Sequence, residues 1–235
     1  MAAGSATGFF GKLPALGDFV ERALPSEFVT PWDAWLQRAI AASRAGLGEQ
    51  WLDIYLTSPL WRFVLGAGPC GARAWAGVMM PSVDRVGRYF PLTVATPLPA
   101  GSDPFALLQA HDAWFGAVET LLLGALDAEQ LDPDDFAAEL AGLPPPVGGA
   151  APVRAARLYD GWRVDLPGGY DAAAVAGAIA GDALAELSLW CNAGAAGAPS
   201  VVLAYTGLPA ADAYTGLLCG GEAAPAPFAG LAADE

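Results

Sequence analysis

The stretch PSVDRVGRYFPL, Pro81 to Leu92, decides how the chain is organised. Pro81 and Pro91 bracket it, Gly87 sits inside it, and Asp84, Arg85 and Arg88 are ionised. Apolar runs lie on both sides, Trp75–Met80 before and Phe90–Leu98 after. Strand-like runs joined by a short connection pair antiparallel, because parallel neighbours need a much longer crossover. The charges alternate with Val83, Val86, Tyr89 and Phe90, so the turn is expected to pack back on the body. Arginines held there need a carboxylate and further acceptors, since an isolated buried charge is costly.

A second stretch has the same texture. GKLPALGDF, Gly11 to Phe19, sets Lys12 and Asp18 among Gly11, Pro14, Gly17 and aromatics. The two stretches are expected to meet, with Asp84 and Asp18 as counter-charges for Arg85 and Arg88. Lys12, Asp18, Asp84, Arg85 and Arg88 are therefore the candidate site. Two roles stay open for them: an ion-pair network that fixes two loops, or a surface that recognises a partner or ligand.

Outward from Pro81, three apolar runs read as a meander: Leu60–Leu65, Ala74–Met80 and Phe90–Pro97. They are nearly all apolar rather than alternating, so helices are expected on both faces of the sheet. Thr7–Leu13 reads as a further strand. Thr30-Pro31 announces a helix, with Thr30 as cap, Pro31 at the first helical position and Asp33 complementing the dipole. Trp32, Trp35, Leu36, Ala39 and Ile40 form its apolar stripe, and Gly46 and Gly48 stop it. Gln50–Thr57 is ambiguous between helix and strand.

Asp103-Pro104 opens a helix to about Leu126, with Phe105, Leu108, His111 or Asp112, Phe115, Val118 and Leu122 inward. A second capped helix runs from Asp132-Pro133 to Leu143. Residues 144–151 are linker-like, and Asp160-Gly161 is expected to turn a hairpin between Arg157 and Val164. Asp171–Ala180 is helical, Leu187–Cys191 and Ser200–Tyr205 are strands, and Ala210–Leu218 is a closing helix. A tail from about 222 to 235 is expected to be mobile.

The chain has 235 residues and is 54% hydrophobic, with eight Trp. That length buries roughly 70–75% of the unfolded surface, so one domain over residues 1–235 needs no staple. No apolar run has the length of a membrane span, and MAAGSATGFFGKL lacks the basic start and apolar stretch of a signal peptide. A cytoplasmic protein is expected. Cys70, Cys191 and Cys219 are far apart and form no CxxC, so buried free thiols are expected rather than disulfides or zinc. The net charge of −14 argues against nucleic acid and anionic lipid as partners. It is uneven: residues 1–100 carry eight basic and seven acidic groups, the rest three and eighteen.

Catalytic patterns are missing. His111 is the single histidine, no GxSxG elbow exists, and neither GxxxxGK[ST] nor a strand-borne GxGxxG is present. No cofactor or metal is implied, which shifts weight toward a binding or regulatory protein.

GFFGKLPALGDFVERALP (8–25), WDAWLQ (32–37), YLTSPLWRFVL (55–65), PSVDRVGRYFPL (81–92) and SLW (188–190) together resemble the type VI secretion-associated TagF family. The likeness is dense over about 8–120. Beyond that it rests on Ser188-Leu189-Trp190 and Gly207-Leu208-Pro209; Cys191 stands where many members have a second Trp. The resemblance implies a three-layer α/β/α sandwich with a mixed, largely antiparallel central sheet. It also implies a non-enzymatic cytoplasmic accessory protein that represses secretion after translation by binding the forkhead-associated scaffold protein, Fha. Some members are fused to a metal-dependent phosphatase, for which this chain is too short. Two further readings stay open: an anion or phosphometabolite sensor or enzyme using Lys12, Arg85 and Arg88, and an orphan structural subunit.

Overall fold

A computed structural model describes residues 6–99, 107–108, 112–144, 146, 155–158, 161–165, 175–176, 178, 187–192, 194 and 200–221. Nine strands are described: β1 (Gly8–Lys12), β2 (Phe19–Arg22), β3 (Trp61–Leu65), β4 (Trp75–Met80), β5 (Leu92–Pro97), β6 (Ala155–Leu158), β7 (Gly161–Val164), β8 (Leu187–Asn192) and β9 (Val201–Thr206). Five α-helices are described over their full length: α1 (Ser26–Leu47), α2 (Trp51–Thr57), α3 (Asp112–Asp127), α4 (Pro133–Gly142) and α5 (Tyr214–Leu218).

Seven strands form one sheet in the order β2-β1-β5-β4-β3-β8-β9, and β6-β7 pair separately. The expected meander is its centre, β3-β4-β5. The N-terminal hairpin joins through β1 against β5, and the β8-β9 hairpin joins through β8 against β3. All ladders among the described strands are antiparallel. The largely antiparallel sheet implied by the resemblance is thus found, with no parallel pair among the described strands. Three hairpin-like units are laid edge to edge, so no parallel crossover arises among the described strands.

The period of two sorts each strand onto two cores. Trp61, Phe63 and Leu65 of β3, Trp75 and Met79 of β4, and Trp190 of β8 share one apolar cluster with α1, α2 and α5. Val64, Ala76, Val78, Met80, Leu92 and Val94 share another with α3 and α4. Central strands buried on both faces explain why their sequences do not alternate.

The first core is aromatic. Trp32 packs against Phe63 at 4.8 Å, Trp35 at 4.9 Å, Phe28 at 5.3 Å and Trp190 at 5.9 Å. A buried indole N–H needs an acceptor. Trp32 donates to Thr93 Oγ1, Trp35 to the Pro209 carbonyl, Trp51 to Ser43 Oγ, Trp61 to the Leu217 carbonyl and Trp190 to Ser188 Oγ. Among the described residues Trp114 is the exception. Ser188 Oγ in turn donates to the Gly207 carbonyl at 2.6 Å. The SLW and GLP stretches are therefore the pieces that seat β8 and the segment after β9 on α1.

Three expectations need correction. α1 starts at Ser26 rather than after Thr30, and Pro31 lies inside it. Pro25 is extended (φ −78°, ψ 152°), and its carbonyl accepts from Phe28 and Val29. Burial of Phe28 and Val29 rewards the extra turn, and half-buried Pro31 removes just one helical bond. Gly46 stays helical; Gly48, at φ +54°, ends the helix. Only Cys70 is a fully buried cysteine; Cys191 and Cys219 are half-buried, and no disulfide joins the three.

The ambiguous Gln50–Thr57 segment resolves as α2, and Asp132 caps α4 by accepting from the Asp134 N–H. Phe115, Val118 and Leu122 of α3 face inward as expected, whereas Asp112 is exposed. His111, the Asp103-Pro104 start, Phe105, Asp160, most of 144–151 and of 171–180, and the tail from 222 lie outside the described residues. No described helix is long and apolar enough to cross a membrane.

Candidate functional site

The Pro81–Leu92 stretch extends the β4-β5 hairpin. Val83 and Tyr89 form an antiparallel bridge, and Gly87 N–H donates to the Asp84 carbonyl, closing a four-residue turn. Gly87 has φ +82°, a conformation that suits glycine. The tip Arg85-Val86-Gly87-Arg88 is exposed, while Ser82, Asp84 and Phe90 around it are buried.

Asp84 organises the turn. Its Oδ1 accepts from the backbone N–H of Val86 at 3.1 Å and of Arg88 at 2.8 Å. Its Oδ2 accepts from Lys12 Nζ at 2.6 Å and from Arg88 Nε at 2.7 Å. Burial raises the pKa of this carboxyl, but the bonds from Lys12 and Arg88 outweigh it and hold Asp84 well below the usual carboxylate range. Four donors saturate its acceptor sites, so Asp84 has none left to act as a base.

Lys12 reaches Asp84 from the end of β1. The two side chains are 4% and 0% exposed, which makes this a buried pair. Phe19, directly opposite Lys12 on β2, lies over the ammonium at 4.8 Å from its ring centre. Phe19 also stacks on Phe10 and meets Phe90 edge-on. Close approach of β1 to the loop depends on Gly11, with φ +141°. A Cβ there would stand 2.1 Å from the Pro91 carbonyl oxygen.

The two stretches meet as expected, but through different atoms. Arg85 N–H donates to the Leu16 carbonyl at 2.8 Å, Arg88 Nη2 donates to the Gly17 carbonyl, and Ser82 Oγ donates to the Lys12 carbonyl at 2.7 Å. Asp18 does not supply the counter-charge. Its carboxylate accepts from its own neighbour, Phe19 N–H, at 2.8 Å, the local bond that short acidic side chains favour. Arg88 takes the adjacent carbonyl instead. Arg85 is exposed, with its Nη2 beside Gly17, and no ion pair joins it to a carboxylate among the described residues.

Residues outside the candidate set complete the corner, and Val86 stands at the surface where it was expected to pack back on the body. Tyr55 of α2 donates its hydroxyl to the Ser82 carbonyl at 2.9 Å and accepts from Ser82 N–H at 3.1 Å. Burial pushes the Tyr55 pKa well up, so it stays a neutral donor. Phe19 and Val86 are 44% and 65% exposed, large apolar groups beside two exposed guanidiniums. The available signal was position alone: Phe19 directly follows Asp18, and Val86 lies between the arginines.

A second charged cluster pins α3 to the sheet. Arg62 of β3 holds Glu119 with two bonds, at 2.7 and 2.8 Å, and also donates to Asp112. The Glu119 bond, followed by that to Asp112, raises the Arg62 pKa against the effect of burial. An arginine inside an apolar strand was its visible sign. Burial lifts the Cys70 thiol to about 12 and raises Cys191 as well, so neither is an activated nucleophile. No group of three or more metal-ligating side chains is found among the described residues.

Lys12, Arg85 and Arg88 do not share one open cradle. Lys12 is neutralised by Asp84 and covered by Phe19, leaving two guanidiniums at the surface. The arrangement is suited to holding a loop rigid and presenting its tip.

The family model for the TagF N-terminal domain, type VI secretion system-associated, matches residues 8–143. Among solved structures, the chain is similar to the PA0076 protein of Pseudomonas aeruginosa PAO1, with 42% identity and a TM-score of 0.82. That match covers 97% of this chain and 100% of the other. Comparison with curated proteins gives no match. The matched residues make up more than half of the chain and contain both loop stretches, the Lys12–Asp84 pair and the Arg85–Arg88 tip, and on this ground the chain belongs to the TagF N-terminal domain family of type VI secretion-associated proteins.

Proposed function

We propose that this protein is a non-enzymatic cytoplasmic accessory of the type VI secretion system, which represses secretion after translation by binding the forkhead-associated scaffold protein. The observation that supports it is the state of Asp84. The Asp84 carboxylate is fully occupied by Lys12, Arg88 and two backbone donors, and it rigidifies the loop that carries the exposed tip. Helices on either side of the sheet, each with its own apolar cluster, fit a three-layer α/β/α arrangement. Such a body carries a rigid loop between two central strands, and binding through it has a low ordering cost.

Purified chain and purified Fha are expected to co-elute as a complex on size-exclusion chromatography. Deleting the gene is expected to raise secretion and overproducing the chain to suppress it. Separate elution together with unchanged secretion in both strains would refute the reading. An anion sensor retains only Arg85 and Arg88, because Lys12 is consumed; absence of any thermal shift with nucleotides and phosphorylated metabolites is the expected result.

A further inference from the structure

We propose that the Arg85-Val86-Gly87-Arg88 tip and the Phe19 ring form a docking surface for an acidic protein segment carrying an apolar anchor residue. This deepens the interaction reading above and rests on it.

Three features of the corner point to such an occupant. The first is charge. Lys12 is balanced by Asp84, and Arg88 shares that carboxylate through Nε. Arg85 is exposed with no carboxylate paired to it among the described residues. Within the two loop stretches Lys12, Arg85 and Arg88 stand against Asp18 and Asp84, a net positive pair of loops on a chain whose net charge is −14. A positive corner on an acidic body selects a negative partner. Two copies, each of net charge −14, repel one another overall, which weighs against a second copy of this chain as the occupant.

The second feature is apolar exposure. Phe19 and Val86 are 44% and 65% exposed beside those guanidiniums. Arginine and aromatic side chains together are the composition of an interface centre, not of a solvated turn. The third feature is rigidity. Asp84 holds the tip by bonds to Val86 N–H, Arg88 N–H and Arg88 Nε, and Phe19 is clamped by Phe10 and Phe90. The surface is thus preorganised, and binding orders little of it.

Two measurements test the proposal. In the first, isotope-labelled protein is titrated with a synthetic peptide of alternating glutamate and leucine, and backbone amide shifts are followed. Shifts are expected at residues 17–19 and 84–88, fading at high salt and in Arg85→Glu. Unmoved amides at those residues overturn the surface. In the second, Fha binding is compared for wild type, Arg85→Glu, Val86→Glu and the remote control Val202→Glu, after circular dichroism shows that each is folded. The two tip variants are expected to bind at least about tenfold more weakly, and the control to bind as wild type. If wild type binds Fha and the tip variants match it, the surface is wrong and the partner reading stands. If the peptide docks at the tip but Fha does not bind, the surface stands and the partner reading fails.

Discussion

Replacing Asp84 by asparagine is the most informative single perturbation. Asp84 has 0% side-chain exposure and takes four donors, one of them the ammonium of Lys12, itself 4% exposed. Asparagine keeps the shape but turns one acceptor oxygen into a donor group. Lys12 is then a buried cation with no counter-charge, a situation that costs about 3–5 kcal/mol. For a chain of this size that lowers Tm by about 6–20 °C. Lys12→Met should be milder. Asp84 would keep Arg88 Nε and both backbone N–H groups, so the loss is about 1–3 kcal/mol. The double variant Lys12→Met/Asp84→Asn should regain part of the asparagine loss, since it removes the stranded ammonium. Urea titrations followed by tryptophan fluorescence and far-ultraviolet circular dichroism would measure all four proteins. If Lys12→Met costs as much as Asp84→Asn, or if Asp84→Asn unfolds with wild type, the loop is not held by this carboxylate.

Three more outcomes follow from the same geometry. Because the Asp84 pKa is depressed in the folded state, its contribution is complete above the ordinary carboxylate value of about 3.9 and is lost as pH falls through the folded value. The Tm gap between wild type and Asp84→Asn should therefore narrow with acidification below about pH 4 in calorimetric scans; a gap that widens would contradict the assignment. Trp190→Ala removes the ring between Trp32, Trp35 and Phe63 and should cost about 3–5 kcal/mol in urea unfolding, whereas a loss near zero would mean that β8 is not part of this core. Gly11→Ala places a Cβ 2.1 Å from the Pro91 carbonyl at φ +141°; we expect more than about 1 kcal/mol of destabilisation and increased protease cleavage in the 81–91 loop, and native-like resistance would show that β1 can move aside.

Much of the sheet was legible because its signals are local. The runs at 60–65, 74–80 and 90–97 became β3, β4 and β5 with boundaries shifted by a residue or two. The stripe Trp32–Ile40 is buried as its period of 3.6 demands. The start of α1 was misplaced because Thr30-Pro31 is a strong local signal, and a tertiary gain, the burial of Phe28 and Val29, overrode it. The site was half legible. Lys12, Asp84 and Arg88 stood out as charges among breakers and aromatics, but the choice of Asp84 over Asp18 depends on which way each carboxylate turns. Arg62, Asp112 and Glu119 were hidden because 50 and 57 residues separate the arginine from its partners.

The order of residues, by itself, determined where most strands and helices lie, which of their faces are apolar, and that two charged loops need each other. Those are properties of periodicity and of the cost of burying charge, and they act over a few residues. Only the tertiary structure decided that Lys12 belongs to Asp84, that Arg85, Val86 and Phe19 stand at the surface together, and that Trp190 closes the core around α1. Such pairings depend on strand register and on which side chain reaches an acceptor first, quantities set when distant segments pack.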